Sequence, residues 1–193
     1  MNEKLDLRIQ KTYMALHNAF TQLLEEKKFE DFTVNELCER AIIRRTTFYK
    51  HFADKYEYYA FYIKEVCAEF QKQLSPEAMN GNAYFLHMCR ELLHFIRKND
   101  RLVQNVKKSS MFPVLLMMLL EQIRGDVIDS LRRVKHSRPM DTTEIEGIAA
   151  FYAGGLLSTL FQMLNKDAPI DEDRFIGIVS NFLIDDSNAP ESV

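Results

Sequence analysis

Apolar side chains recur along this chain at helical spacing. Ile9, Tyr13, Leu16, Phe20 and Leu23 fall at intervals of three and four, which predicts an amphipathic helix from about Leu7 to Glu26. Tyr59, Ile63, Val66, Phe70 and Leu74 form a second stripe and predict a helix from about Asp54 to Leu74. Between the two, the pattern shortens. Leu37 and Ala41 share a face, Phe48 and Phe52 share another, and Val34 completes the set. Two short helices follow from that spacing, Thr33 to about Ala41 and Arg44 to Phe52, with a turn through Ile42 and Ile43. Thr33 with Glu36, and Asp54 with Glu57, have the capping-box spacing that starts a helix. Phe29 and Phe32 close a small core against the first helix.

Ser75-Pro76-Glu77 and Asn80-Gly81-Asn82 are turn chemistry and separate this part from the rest. Helices are then expected over Asn82 to Lys98, Asp100 to Lys107 and Ser110 to Val134. Pro113 sits in the first turn of the third, where a missing N–H is tolerated. The first half of that helix, Met111 to Leu120, is apolar on every side and is expected to run through the middle of its domain. His136 to Met140 forms a loop. Thr143 and Glu146 cap the next helix, a final helix covers Asp171 to Asp185, and the last few residues are frayed. Only 6 Gly and 5 Pro interrupt the chain, and no long alternating runs occur, so the expected class is all-α. The expected division is 1–56 and 57–193.

The polar positions of the second short helix carry the chemistry. With Phe48 and Phe52 turned inward, Arg45, Thr46, Tyr49 and Lys50 point out, flanked by Arg44, Thr47 and His51. Two helices with a tight turn, the second basic on its outer face, form a helix-turn-helix. Arginine can hold guanine O6 and N7 together, and threonine can touch a thymine methyl. Tyrosine and histidine suit phosphate oxygens. Lys55, in the first turn of the following helix, can hold a phosphate together with the helix N-terminus.

Thr33-Val34-x-x-Leu37-x-x-x-Ala41, Ile43, Thr47-Phe48-Tyr49-Lys50-His51-Phe52 and Lys55 together resemble the DNA-binding signature of the tetracycline-repressor (TetR) family. The resemblance covers about residues 8–56. It implies base contacts from Arg45, Thr46 and Lys50, and phosphate contacts from Thr33, Thr47, Tyr49, His51 and Lys55. Arg44 adds a further phosphate contact. The family pattern has Gly where this chain has Ile42, and Ser or a similar cap where it has Arg44. A left-handed Ile42 costs on the order of 1–2 kcal/mol.

Net charge is −3, which runs against nucleic-acid binding until its distribution is read. Residues 40–55 hold Arg40, Arg44, Arg45, Lys50 and Lys55 against Asp54 alone. A local patch is enough, because fields fade within about 10 Å at ordinary salt. Three cysteines without paired spacing, Cys38, Cys67 and Cys89, indicate reduced thiols. The charged start has no apolar signal segment, and Met111 to Leu120 is half a membrane span. A cytoplasmic protein with no membrane partner is expected.

Gly147, Ala150, Gly154 and Phe161 share one face of the penultimate helix. Small residues there let another helix approach closely. With Phe175, Ile178 and Phe182 of the last helix, they are expected to form a homodimer interface, or else to pack within one protomer. The resemblance also implies a dimer through these helices, and Phe151 to Leu157 is similar to a C-terminal region of some TetR-type regulators. Two copies would read a palindromic operator on double-stranded DNA. Met88, Leu92, Phe95, Phe112, Leu116, Met117, Leu120, Phe151 and Tyr152 are flexible and apolar. The resemblance implies a pocket for a small hydrophobic effector there; plain core is the other reading. No cofactor is expected. His87 and His94 lie two helical turns apart, too far to share a metal ion, and no acid–base or nucleophile constellation marks an enzyme. The expected function is a homodimeric DNA-binding transcriptional regulator, a repressor released by a small-molecule effector. Two alternatives stay open: control by a protein partner without a small effector, or a helical interaction module that no longer reads DNA.

Overall fold

A computed structural model describes residues 7–74, 81–133, 139–165 and 171–181. Every regular element among them is helical: α1 (Leu7–Glu26), a 3-10 turn (Phe29–Asp31), α2 (Val34–Arg40), α3 (Arg45–Tyr49), α4 (Lys55–Leu74), α5 (Gly81–Lys98), α6 (Asp100–Lys107), α7 (Phe112–Arg133), α8 (Thr142–Leu164) and α9 (Glu172–Ser180). The all-α class read from periodicity is the observed one. The chain forms two compact units, Met1–Val66 with Ile96–Leu115, and Cys67–Phe95 with Leu116–Val193.

The first unit is organised around Phe20 of α1, which is fully buried. Its ring lies 5.5 Å from Phe32, 5.0 Å from Tyr58 and 4.9 Å from Tyr62. Pairs of this kind stabilise by about 0.5–1.5 kcal/mol each beyond the area they bury. Leu37 and Phe48, from α2 and α3, are buried against this core as their spacing predicted. α6 packs along α1. Asn105 Nδ2 donates to the carbonyls of Leu24 (2.9 Å) and Glu25 (3.0 Å), two of the acceptors that the end of α1 leaves without helical donors. The Glu30 carboxylate accepts from Ser109 Oγ at 3.0 Å and from the Ser110 N–H, which ties the 3-10 turn to the approach to α7. Burial opposes the charge on Glu30, but hydrogen bonds from Ser110, its own backbone and Ser109 outweigh it and bring its pKa down to about 2.

In the second unit, α8 turns Ala149, Ala153, Leu156, Leu157 and Leu160 inward. Phe175 and Val179 of α9, Met88, Cys89 and Leu93 of α5, and Ile123 and Val127 of α7 are also buried. Gln71 Nε2 donates to Asp126 Oδ1 at 2.5 Å. Burial raises the Asp126 pKa against that bond and a second from Gln122.

Several boundaries differ from the expected ones. α3 stops at Tyr49 rather than Phe52; beyond it the Phe48 carbonyl accepts from both the His51 N–H (2.9 Å) and the Phe52 N–H (3.0 Å), so the chain leaves the helix through a hydrogen-bonded turn. α8 is capped by Asp141, which accepts from the Glu144 N–H at 2.8 Å, and not by Thr143. Asp141 and Glu144 have the same spacing two residues earlier, and Asp is a strong cap. The Met111–Leu120 run is not a buried helix: only Met111 is buried, and Met117 is 70% exposed. The partners available to α7 cover the Ile123/Val127 stripe, and a helix that is apolar all round has more face than one neighbour can cover. The turn expected at Ser75–Asn80, most of the loop from His136, and the end of the last helix lie outside the described residues.

Candidate DNA-binding surface

α2 starts where Thr33 Oγ1 accepts the Glu36 N–H at 3.2 Å, so the capping residue expected from sequence is in place. The Glu36 carboxylate accepts from Lys27 Nζ, clasping α2 to the end of α1. A second clasp joins Arg40 to Glu26. That hydrogen bond is the main reason Arg40 is held above and Glu26 below its ordinary pKa. The charge of Arg40 is therefore compensated within the unit, and the basic surface narrows to Arg44, Arg45 and Lys50.

α2 ends in a Schellman motif. The Ile42 N–H donates to Glu39 O at 3.1 Å and the Ile43 N–H to Cys38 O at 3.0 Å. This closure needs a left-handed residue between them. Ile42 occupies it with φ 55°, the one non-glycine residue with positive φ among those described, and its side chain is 92% exposed. The turn expected to be strained is strained.

α3 then begins at Arg45 from Arg44, whose side chain makes no capping hydrogen bond. Phe48 is fully buried and Phe52 nearly so. The other side of the helix carries exposed Arg44, Arg45, Thr46, Tyr49 and Lys50, with Thr47 and His51 half-buried. The inward and outward sets are those the periodicity predicted. His51 Nδ1 lies 3.4 Å from Tyr13 Oη of α1, a pairing across 38 residues that no local pattern signals.

α4 opens with the expected Asp54–Glu57 box. Asp54 Oδ1 accepts the N–H groups of Tyr56 and Glu57, both at 2.8 Å, while Glu57 reaches back to the Ala53 N–H. Lys55, in the first turn of α4, is held by backbone carbonyls of the preceding turn. Its Nζ donates to Phe29 O and Phe32 O at 2.8 Å each and sits 4.4 Å from the Phe29 ring centroid. Burial lowers its pKa, against the opposing pull of Glu30 and Asp31. Lys55 thereby ties α4 to the 3-10 turn. The carbonyls at the end of a single short turn run out of helical donors, and a buried ammonium needs acceptors.

A family model of a transcriptional regulator C-terminal region, TetR_C_8, matches residues 84–185, more than half of the chain. The chain belongs to the TetR family of transcriptional regulators. This TetR-family regulator is 35% identical over 92 residues to an uncharacterized HTH-type transcriptional regulator, YxbF, of Bacillus subtilis (strain 168). That match takes in 47% of this chain and about a quarter (24%) of the relative's length. Among solved structures, the dihydroxyacetone kinase operon activator DhaS superposes with a TM-score of 0.64 at 17% identity, covering 88% of this chain and 92% of DhaS. A TetR transcriptional regulator from Streptococcus agalactiae 2603V gives 0.61 at 22% identity, covering 90% and 94%. Lin0861 from Listeria innocua gives 0.60 at 20%, covering 94% and 93%. At these identities the structures show a shared fold.

The remaining expected site residues of this TetR-family chain are spread. Of the effector set, Met88 is buried, and Leu92, Phe95, Leu116, Leu120 and Tyr152 are half-buried in the second unit. Phe112 belongs to the first unit. Met117 and Phe151 are 70% and 65% exposed, so they present surface and not lining. Phe151 shares the outer face of α8 with Gly147, Ala150 and Phe161, while Gly154 is half-buried beside them. Of the expected interface residues on α9, Ile178 is exposed, whereas Phe175 is fully buried and belongs to the core of its own unit. Its position four residues before Val179, on the same inward stripe, is what places it there. Phe182 lies outside the described residues. α8 is long and apolar enough to cross a membrane by length and composition alone.

Proposed function

We propose that this TetR-family regulator works as a homodimeric repressor that reads a palindromic operator on double-stranded DNA with α3. One observation carries the reading: Phe48 anchors α3 in the core with no exposed surface, while Arg45, Thr46, Tyr49 and Lys50 stand exposed on its other side. Arg45, Thr46 and Lys50 meet base edges. Thr33, Arg44, Thr47, Tyr49 and His51 meet phosphates and set the register. Selection of duplexes from a random-sequence pool supplies the probe. Arg45→Ala and Lys50→Ala should each weaken binding by about ten-fold or more, with an unchanged melting temperature. Wild-type affinity in both variants would overturn the reading in favour of an interaction module.

The dimer reading rests on the outer face of α8, where Phe151 and Phe161 stay exposed beside Gly147 and Ala150, and on exposed Ile178 of α9. A second copy covers such a face and places two α3 helices for two half-sites. Regulation by a small apolar molecule is supported by the half-buried set Leu92, Phe95, Leu116, Leu120 and Tyr152, with the Tyr152 ring 5.3 Å from Phe85. α4 runs unbroken from the DNA-reading unit into the second unit and is the path by which such a molecule would act. Repression follows from occupancy, since a dimer on an operator excludes other proteins from that duplex. Loss of the protein should raise transcription from the promoter it occupies.

A further inference from the structure

We propose that Tyr13 is a positioning residue for the DNA contact of His51, holding the imidazole in the orientation that presents Nε2 to a phosphate oxygen. This rests on the DNA-reading function proposed above. Tyr13 Oη lies 3.4 Å from His51 Nδ1. The two rings meet edge to face, with centroids 5.3 Å apart and planes at 82°. The phenol is itself held by Phe52 at 5.7 Å and Phe61 at 5.1 Å. His51 is fixed from its backbone, where its N–H donates to Phe48 O at 2.9 Å. The hydroxyl of α1 thus meets Nδ1 of a ring mounted just beyond α3.

A neutral imidazole carries one N–H and one nitrogen lone pair. When the phenol O–H donates to Nδ1, the lone pair is there and the proton is on Nε2. Nε2 projects from the opposite side of the ring and becomes a donor. A phosphate diester oxygen only accepts, so this is the neutral form that can bind it. The reverse tautomer would aim a lone pair at an anion. Turning the ring over would bring a carbon against Tyr13 Oη and forfeit the hydrogen bond, so the contact fixes the ring's orientation; the hydroxyl serves as donor to Nδ1 when the phosphate accepts from Nε2–H.

Tyr13→Phe keeps the ring and removes the hydroxyl. NMR should show the His51 ring in one orientation against Tyr13 in the wild type and averaging between orientations in the variant. Affinity for a duplex selected by the wild-type protein should fall about five-fold, the scale of one hydrogen bond. Tyr13→Phe should cost nothing further in a His51→Ala background. Unchanged affinity in Tyr13→Phe, or the same loss with and without His51, overturns the positioning role. If wild-type protein enriches no duplex at all, the DNA-reading function itself fails, and this inference with it.

Discussion

Lys55 Nζ donates to the carbonyl of Phe29 at 2.8 Å and lies 4.4 Å from the centroid of that residue's own ring. A second carbonyl, of Phe32, accepts from the same ammonium. The first residue of α4 thereby stitches the first unit together. Lys55→Met should destabilise the protein by about 2 kcal/mol, since hydrogen bonds to a charged group contribute about 1.5–3 kcal/mol and the cation–π contact adds to them. Chemical denaturation measures this. A variant as stable as wild type but about ten-fold weaker on DNA would instead return Lys55 to a phosphate.

Ile42 pays for the Schellman turn with a left-handed backbone and gains no burial, being 92% exposed. Ile42→Gly removes a strain of about 1–2 kcal/mol and adds back a smaller unfolded-state entropy. A net gain of about 0.5–1 kcal/mol is expected, read as a higher Tm. A fall in Tm would show that the side chain has a partner in the folded protein.

Glu30 has a folded pKa of about 2 against an ordinary 4.5, set by Ser109 and Ser110 in spite of the opposing burial. A depressed carboxylate contributes stability above its unfolded pKa and loses it as pH falls through the folded one. That contribution should fade between about pH 4.5 and 2. Glu30→Gln should be less stable than wild type at pH 7, and the gap should close across that window in acid-dependent melts. A constant gap from pH 7 to pH 2 would locate the effect elsewhere.

A Cβ built on Gly154 meets no atom within 4 Å. Gly154→Leu should therefore fold, with helix propensity improved by about 1 kcal/mol. It should also obstruct a second α8 and shift sedimentation towards monomer at micromolar protein. A dimer as tight as wild type would place the interface on another face.

Much of the proposed DNA-reading surface was legible in the sequence. Phe48, Phe52, Leu37 and Ala41 repeat at helical spacing, so the residues between them had to face outward, and the structure turns Arg45, Thr46, Tyr49 and Lys50 that way. Caps at Thr33 and Asp54 were equally plain, because a cap is a contact within four residues of itself. The strain at Ile42 was visible as an isoleucine in a glycine's place. The second unit was less transparent. Periodicity marks which residues of α7 and α9 are apolar, but not how many neighbours are available to cover them. Met117 and Phe151 proved exposed, and Phe175 proved buried, for that reason.

The sequence by itself determined the helical class, the caps at Thr33 and Asp54, and the inward and outward faces of α2 and α3, all of which rest on interactions spanning a few residues. Tertiary structure alone decided where the charged ends go. Lys55 meets carbonyls 23 and 26 residues away, Glu30 meets Ser109 across 79, and Tyr13 meets His51 across 38. A long side chain reaches whichever acceptor or donor the packing brings within 3 Å or so, and that choice is made only when distant helices dock.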